Sequence, residues 1–510
     1  MDIWNCIDAA LVINMDRSVD RWQAFQRSVE GLIPPDRLHR ISAVPGVELP
    51  GYGEKPWFRK RTESKARQWA GVAGCAASHR RAIAFAKQQG YRRVLILEDD
   101  AEFEKLIALL PRLYPRVFEA CSFDRLPDRA LLLRWPGKQA AEPAVLMAHY
   151  DVVPVNEENW EKPPFAGIIE DGVLWGRGTL DTKVTLNGAL SAADYLIGQG
   201  FQPENDIYFA FSGGEEVSGK GAPNIVQYFI DHNIQPAMVV DEGGAVVDSI
   251  FPGVTAPCGL IGIAEKGMMN VQYRAASSGG HASSPKPHTP VGVLSAACKK
   301  VEDHPFPAHI QGPAGQMFDT LGRYSTTLYR VIFANLWCFG WVIDLLGKKS
   351  GGEMNALLRT TSAFTQMQGR SAWNVIPPEA TMVANMRLNP SDSVASALEY
   401  LKKTVNDDSV EITALESFEP SRVSRTDCPQ WDKLAAAVAG TWPGCIVSPY
   451  LMVACSDSRH YGRISDRVYR FSAMSLNAEE RSTIHANNER IPLDTIAKAV
   501  EFYIRLIQQL

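Results

Sequence analysis

Residues that can bind divalent metals lie close together between positions 145 and 219. The chain has a histidine and an aspartate two residues apart, then an isolated aspartate after a glycine turn, then two adjacent glutamates: His149, Asp151, Asp181, Glu215 and Glu216. Imidazole nitrogen and ionised carboxylate suit such metals, and two metals held close together need one carboxylate that bridges both. The pattern predicts a hydrolase in which two metals turn water into a nucleophile.

Apolar runs typical of buried strands precede these groups. Residues 144–147 come before His149, residues 207–211 come before the Gly-Gly-Glu-Glu turn, and residues 237–240 come before Asp241. Ligands at the carboxyl ends of neighbouring strands point into one crevice. A lone His-x-Asp pair can equally be a capped core histidine. Several carboxylates grouped without cations would repel one another strongly, and we therefore expect cations among them.

Five segments, in this order, resemble one enzyme family: MAHYDVVPV, LWGRGTLDTK, FSGGEEVSGKG, VVDEGG and STIHANNERI. They resemble the zinc metallopeptidases that include aminoacylase, acetylornithine deacetylase, succinyl-diaminopimelate desuccinylase and glutamate carboxypeptidase. The nearest branch resembles carboxypeptidase S and the secreted N-fatty-acyl-amino-acid hydrolase. The resemblance runs from about residue 103 to the C-terminus and implies two Zn²⁺ ions per subunit, although Co²⁺ or Mn²⁺ could use the same ligands.

The resemblance also implies which residues hold the metals. His149, Asp181 and Asp241 would bind one zinc, and Asp181, Glu216 and His485 would bind the other. Asp181 would then be the bridging carboxylate.

Catalytic roles follow from the same resemblance. Asp151 would hydrogen-bond the free ring nitrogen of His149, which fixes the tautomer of a metal-binding histidine. Glu215 would be the general base that takes a proton from water and passes it to the leaving amine. The family further implies a cis peptide bond between Asp181 and Thr182.

Substrate contacts are implied at positions further along the chain. His281 matches a lid-domain histidine that stabilises the tetrahedral intermediate, often across a dimer; its alternative is a loop histidine in a Gly/Ser turn. Arg459 suits a terminal carboxylate because its guanidinium is a planar fork. Its neighbour His460 is either substrate-facing or a solvated surface histidine. Arg387 and Asn374 match lid positions that touch substrate, with a solvent-facing strand or turn residue as the alternative.

The chain of 510 residues is long enough for about three compact units. We predict an α/β fold. The catalytic domain, with a mixed, mostly parallel sheet flanked by helices, would span residues 104–263 and 425–510. A smaller inserted α/β sandwich, the lid, would span residues 264–424. In this family the lid supplies a dimer contact, so a homodimer is expected.

An apolar, aromatic segment lies within the predicted lid at residues 331–346. It is shorter than the roughly 20 residues that a bilayer helix needs, and it contains Asn335 and Asp344. We therefore expect no membrane span here, but a buried or dimer-facing helix. Our hypothesis is that this insertion lines a pocket for an apolar acyl group.

Residues 1–103 resemble a different family. The segments ALVINMDRSVDRW, RISAVPG, GVAGCAASHRRAIAFA and VLILEDDAEF resemble the start of a lipopolysaccharide-type glycosyltransferase with a partial α/β fold. Glu98, Asp99 and Asp100 would hold a divalent metal and the diphosphate of a nucleotide sugar; the alternative is an acidic turn that caps a strand. The acceptor half of such an enzyme is missing, so we expect no sugar transfer, although donor binding could survive.

Composition excludes some partners. The net charge of −5 and the absence of a long Lys/Arg run argue against nucleic acid. The N-terminus has no basic region followed by an apolar stretch, so the cytoplasm is expected. Nine scattered cysteines form no disulfide framework, and we expect them to be reduced.

Together these features predict a zinc-dependent hydrolase of carboxypeptidase or aminoacylase type. Its substrates would be N-acyl amino acids or small peptides with a free carboxylate. The alternative is a glycosyltransferase-related protein that carries a metal-binding, non-catalytic peptidase-like domain. The presence of Glu215 argues against that alternative.

Overall fold

The computed structural model forms two compact units, Met1–Leu113 and Tyr114–Leu510. Residues 104–113, which we expected in the catalytic domain, fall in the first unit. The structure describes residues 8–14, 34–44, 77–78, 80–89, 91, 94–98, 103–248, 251–370 and 372–510.

The first unit contains a three-stranded parallel sheet in the order β2-β1-β3. Its elements are β1 (Ala9–Asn14), β2 (Leu38–Ser42), a helical stretch at residues 80–89, β3 (Val94–Glu98) and α1 (Phe103–Leu113). The apolar run of β1 is fully buried from Ala9 to Val12, as is usual for a parallel strand covered on both faces. Glu98 ends β3, whereas Asp99 and Asp100 lie outside the described residues.

An eight-stranded mixed sheet forms the centre of the second unit. Its strands, in spatial order, are β18 (Ile446–Met452), β11 (Cys258–Glu265), β19 (Val468–Leu476), β10 (Met238–Val247), β6 (Gln139–His149), β9 (Asn205–Ser212), β5 (Ala130–Trp135) and β4 (Ser122–Leu126). The four central strands, from β19 to β9, run parallel. The described pairings comprise four parallel and four antiparallel ones, so "mostly parallel" was wrong for the sheet as a whole.

Helices flank this sheet. They are α2 (Pro115–Ala120), α3 (Lys183–Gly198), α4 (Gly221–Asp231), α11 (Pro429–Thr441), α12 (Ala478–Ser482) and α13 (Leu493–Ile507). Ile225, Val226 and Phe229 of α4 pack against Val145 of β6 and Tyr208 of β9. These contacts bury the strands whose ends carry the predicted ligands.

A small three-stranded sheet brings two distant motifs together. It consists of β7 (Ile168–Glu170), β8 (Val173–Trp175) and β20 (Arg490–Pro492), in the order β20-β8-β7. Arg490 lies opposite Trp175 in this sheet. The C-terminal motif therefore runs beside the segment that leads to Asp181.

A second, antiparallel sheet has the order β14-β16-β12-β17. The strands are β12 (Gly267–Ala276), β14 (Thr361–Gln368), β16 (Glu379–Leu388) and β17 (Val410–Phe418), and the helices α5 (Pro290–Asp303) and α10 (Val394–Val405) share their core. Burial alternates along β12 and β16, which is the period expected of a sheet covered on one face. A two-stranded ribbon of β13 (Gly280–His281) and β15 (Val375–Ile376) adjoins it in sequence.

Four helices form what we call the helical insertion: α6 (Gly312–Gly322), α7 (Thr327–Ala334), α8 (Leu336–Ser350) and α9 (Gly352–Leu358). It packs on β11 and β18, the edge of the eight-stranded sheet. The single apolar helix expected at residues 331–346 is in fact two helices, α7 and α8, bent by 109°. Most of this segment is not buried within the chain, since Phe333 and Ile343 are buried but Trp337 and Trp341 are exposed. The other expectation, that the segment faces a dimer partner, stays a prediction.

No single helix of the described chain is long and apolar enough to cross a membrane. The bent pair α7–α8 meets that measure only when its two members are taken together.

Candidate functional site

Two central strands, β6 and β9, end at the site. His149 is the last residue of β6, and Glu215 and Glu216 lie in a 3₁₀ turn that follows β9. Glycine is needed at the start of this turn, because a Cβ atom on Gly213 would come within 2.5 Å of the ring of Tyr150. The turn therefore carries two glutamates close to the histidine.

Asp181 lies between two histidines. Its Oδ1 atom is 2.9 Å from Nε2 of His149, and its Oδ2 atom is 2.8 Å from Nε2 of His485. The peptide bond between Asp181 and Thr182 is cis, as the family resemblance implies. One carboxylate thus presents a separate oxygen to each of two potential metal ligands.

Two groups of potential ligands share Asp181. The first consists of His149, Asp181 and Glu242, and the second of Asp181, Glu216 and His485. Within each group the ligand atoms lie within 4.8 Å of one another. Nε2 of His149 is 3.3 Å from Glu242, and Nε2 of His485 is 3.3 Å from Glu216. The donors are imidazole nitrogen and carboxylate oxygen, which fit a divalent metal.

The structure places Glu242, not the predicted Asp241, in the first group. The carboxylate of Asp241 is buried and accepts a hydrogen bond from the backbone N–H of Ser458. Asp241 and Glu242 are adjacent in β10, and the pairing of this strand with β19 shifts register after Asp241. Glu242 was not among the predicted ligands, although it follows Asp241 in the VVDEGG segment, and the role of Asp241 as a ligand stays a prediction.

Asp151 contacts both the histidine and the glutamate turn. Its Oδ1 atom is 3.4 Å from Nδ1 of His149, and its carboxylate accepts hydrogen bonds from the backbone N–H groups of Glu215 and Glu216. The backbone carbonyl of Asp151 also lies 3.1 Å from Nδ1 of His149. Asp151 therefore orients the imidazole and the turn at the same time.

Glu489 is a second residue that sequence reasoning missed. Its fully buried carboxylate accepts hydrogen bonds from the backbone N–H groups of Gly178, Leu180 and Asp181. It also pairs with Arg177 at 2.6 Å. Because Glu489 follows His485 by four residues, it holds the Asp181 loop next to the segment of the other histidine. Its presence in the STIHANNERI segment was the one available signal.

Electrostatics within the site are dominated by burial and by like charges. Burial, reinforced by Glu242, raises the pKa of Glu215 to about 9. Burial and the neighbouring Asp181 raise the pKa of Glu242 to about 8, although His149 opposes this. Burial would also raise the pKa of Asp181, but hydrogen bonds to the two histidines lower it. The pKa of His149 lies well above its usual value, because the surrounding carboxylates outweigh its burial.

Asp457, a buried acid that was not among the predicted site residues, contacts one of the strands that lead to the site. Asp457 begins a 3₁₀ helix, Asp457–Arg463, and accepts a hydrogen bond from the hydroxyl of Ser212, the last residue of β9. The next residue, Ser458, donates its backbone N–H to Asp241. This 3₁₀ helix therefore holds the end of β9 next to Asp241 of β10.

Arg459 and Arg387, predicted to touch substrate, both lie near Cys455. The guanidinium of Arg387 lies 3.3 Å from the Cys455 sulfur. That of Arg459 donates to the carbonyl of Ser456 and lies over the ring of Phe418. Neither has a carboxylate partner among the ion pairs of the described residues. His460 is half-buried, not solvated, and burial lowers its pKa to about 4.

His281 and Asn374 lie together on the β13–β15 ribbon. The carbonyl of Asn374 accepts a hydrogen bond from the backbone N–H of Ala282. The imidazole of His281 is exposed and contacts the hydroxyl of Ser283. No described contact joins either residue to the two ligand groups.

Comparison with known proteins agrees with this geometry. The model of the Peptidase family M20/M25/M40 matches residues 145–509, a span that contains both ligand groups. The chain belongs to this family.

Several relatives have similar sequences or folds. The chain is 34% identical over 416 residues to the probable carboxypeptidase S-like 2 of Dictyostelium discoideum, and this match covers 80% of each of the two chains. It is 37% identical over 369 residues to the N-fatty-acyl-amino acid synthase/hydrolase PM20D1 of Xenopus tropicalis, and this match covers 72% of each of the two chains. The M20 family metallo-carboxypeptidase Sso-CP2 from Sulfolobus solfataricus has the same fold, with a TM-score of 0.58 and 18% identity over 80% of this chain and 93% of that one.

These relatives confirm the family resemblance and the α/β fold with a mixed sheet. They lend no support to the resemblance of residues 1–103 to a glycosyltransferase, which stays a prediction.

Replacing Glu489 with alanine should destabilise this M20 family chain strongly. The change leaves Arg177 buried without a carboxylate partner and three backbone N–H groups without an acceptor, so we expect a loss of about 3 to 5 kcal/mol in the free energy of unfolding. Urea titration of the chelator-treated protein measures it. Glu479→Ala is the control, because it breaks an exposed pair with Arg490 and should change stability by about 1 kcal/mol or less. Equal effects in the two variants would contradict the anchoring role of Glu489.

Proposed function

We propose that the chain is a two-metal hydrolase that cleaves the amide bond of N-acyl amino acids or small peptides with a free carboxylate. His149, Asp181 and Glu242 would hold one divalent ion, and Asp181, Glu216 and His485 the other. When bound, such ions act as Lewis acids on water and on the scissile carbonyl. Zinc is proposed on ligand type, since imidazole and carboxylate suit it.

The observation that carries this proposal is the position of Asp181. Its two carboxylate oxygens lie 2.9 Å and 2.8 Å from two different histidines, each of which also lies near a further glutamate. A carboxylate that serves only as a hydrogen-bond acceptor needs only one histidine beside it. Two ligand groups that share one carboxylate are what a pair of adjacent metals requires.

Glu215 is proposed as the general base. Its neighbour Glu216 belongs to a ligand group, whereas Glu215 does not. The backbone of Glu215 is held by Asp151, so its side chain is presented from a fixed turn. Glu215 would accept a proton from the attacking water and then give it to the leaving amine, so one group serves both steps.

The free carboxylate of the substrate would be bound by arginine. Arg459 lies two residues after Asp457, whose carboxylate contacts the end of β9, so its backbone is tied to the site. Arg387 lies near the same cysteine as Arg459. A planar guanidinium without a carboxylate partner suits a carboxylate from the substrate. His281 and Asn374 stay candidates for the oxyanion, and the expected homodimer stays a prediction.

Part of the acyl group would occupy an apolar cavity of about 90 Å³ beneath the helical insertion. None of residues 331–346, which we expected to line an acyl pocket, lines this cavity. Met317 and Leu321 of α6 and Met354 of α9 line it from one side, and Leu260 of β11 lines it from the other. Strand β11 pairs with β10, the strand that carries Glu242. The names of relatives that act on N-fatty-acyl amino acids support an acyl group as occupant.

Substituting Glu215 with glutamine should abolish most turnover and leave the metal content unchanged. The amide keeps the shape of the side chain but cannot take a proton, and general acid–base catalysis contributes about 100- to 10,000-fold. Hydrolysis of a panel of N-acyl amino acids and dipeptides, with metal analysis of the same samples, measures both quantities. Glu399→Gln, an exposed glutamate of α10, is the control. Retention of most activity by the Glu215 variant would be fatal to its assignment as base.

Replacing Glu242 with glutamine should lower the bound metal from two ions towards one per chain, because the first ligand group loses one of its two carboxylates. Asp241→Asn is the matched control, since an asparagine oxygen can still accept from the N–H of Ser458 and both ions should stay bound. Metal analysis after dialysis against a weak chelator distinguishes the two variants. The opposite pattern would restore Asp241 as the ligand.

Filling the apolar cavity should change acyl preference. We expect Met354→Trp to lower kcat/KM for long-chain relative to short-chain N-acyl amino acids by about tenfold or more, since contacts with apolar groups supply discrimination of that size. Met367→Trp makes the same chemical change on exposed strand β14, outside the cavity, and should leave the ratio as it is. If both variants keep the wild-type ratio, the cavity does not hold the acyl group.

A further inference from the structure

Helix α8 carries a row of large apolar side chains that face solvent. Trp337 is 87% exposed, Trp341 is 69% exposed and Leu345 is 56% exposed. These residues are four apart, so they form one stripe along the helix. We call this stripe the tryptophan face.

The opposite side of the same helix is buried. Ile343 and Gly347 pack into the core that the helical insertion shares with strands β11 and β18. The buried side therefore anchors the helix to the rest of the fold. The tryptophan face belongs to this anchored helix. Contiguous exposed apolar side chains of this size mark an interaction surface.

Charge at the end of the stripe indicates what kind of surface it meets. Lys349 continues the spacing of four residues after Leu345, and Lys348 lies beside it; both are exposed. The one acid of α8, Asp344, is already paired with Lys348 and Arg359. An apolar aromatic stripe that ends in cationic charge is complementary to a layer of lipid acyl chains beneath anionic headgroups.

The kind of aromatic residue and the bend of the helices agree with this occupant. Tryptophan is favoured at the boundary between lipid and water, because its ring is apolar and its N–H is polar. Helices α7 and α8 together are as apolar as a membrane segment, yet the 109° bend between them keeps them from forming one straight span. Such a pair suits a position on a membrane and not across it.

We propose that the tryptophan face docks the chain onto an anionic lipid surface. Trp337, Trp341 and Leu345 would enter the interface, and Lys349 would contact the headgroups. This binding does not depend on the metals or on Glu215, so it stands or falls separately from the proposed hydrolase activity.

Vesicle sedimentation of the full-length protein tests the proposal. The probes are vesicles of phosphatidylcholine alone and of phosphatidylcholine mixed with phosphatidylserine, each at low and high salt. We expect binding to the anionic vesicles that weakens as salt rises. The double variant Trp337→Ser/Trp341→Ser should bind at least about tenfold more weakly, because it removes two large apolar side chains from the interface. Lys349→Gln should lose about fivefold on anionic vesicles only.

A matched control removes an equally exposed tryptophan elsewhere. Trp373, which is 99% exposed and precedes the β15 strand, lies outside the tryptophan face, and Trp373→Ser should bind vesicles like the wild type. The proposal is overturned if the wild type does not sediment with anionic vesicles, or if the double variant binds as tightly as the wild type. It is also overturned if the protein without vesicles is an oligomer that the double variant converts to monomers, since the occupant would then be a second copy of the chain. Circular dichroism checks that each variant is folded.

Discussion

Repulsion between buried carboxylates is the constraint on which the site depends. Asp181, Glu216 and Glu242 come from three separate segments and meet beside two histidines. Burial and like charges raise the pKa of Glu242 to about 8 and that of Glu215 to about 9. These groups therefore cannot all be ionised near neutral pH unless cations lie among them. Two cations bound between these carboxylates would offset their mutual repulsion. The proposed hydrolase chemistry depends on those bound cations.

Two other acids at the site are stabilised differently. Asp151 accepts hydrogen bonds from the backbone of Glu215 and Glu216, and Glu489 accepts from the Asp181 loop and pairs with Arg177. Backbone N–H groups and a guanidinium satisfy these two carboxylates by hydrogen bonds without any metal. These two acids can therefore hold the loops in place even when the acids of the two ligand groups bind no metal. This difference between the two sets of acids explains how a cluster of like charges can have a single arrangement.

The sequence motifs placed His149 at the end of a strand and the two glutamates just after the next one, as in the structure, but they did not distinguish between two adjacent acids of β10. In β10, Asp241 and Glu242 follow one apolar run, and the strand's pairing with β19 shifts register after Asp241. Which acid faces His149 depends on that local irregularity, and no periodic pattern records it. Glu489 and Asp457 were missed for a related reason. Their partners are backbone groups and a hydroxyl far away in sequence, so residue type alone does not mark them.

The helical insertion shows why composition alone does not predict burial within the chain. An apolar run predicts a buried helix only if both of its faces find a partner, and the break after α7 leaves α8 with one. Lys266 holds the insertion to the sheet, since its buried ammonium group donates to the carbonyls of Ala356 and Arg359. The inner side of the insertion thus lines an apolar cavity beside the sheet, while its outer side presents tryptophan to solvent.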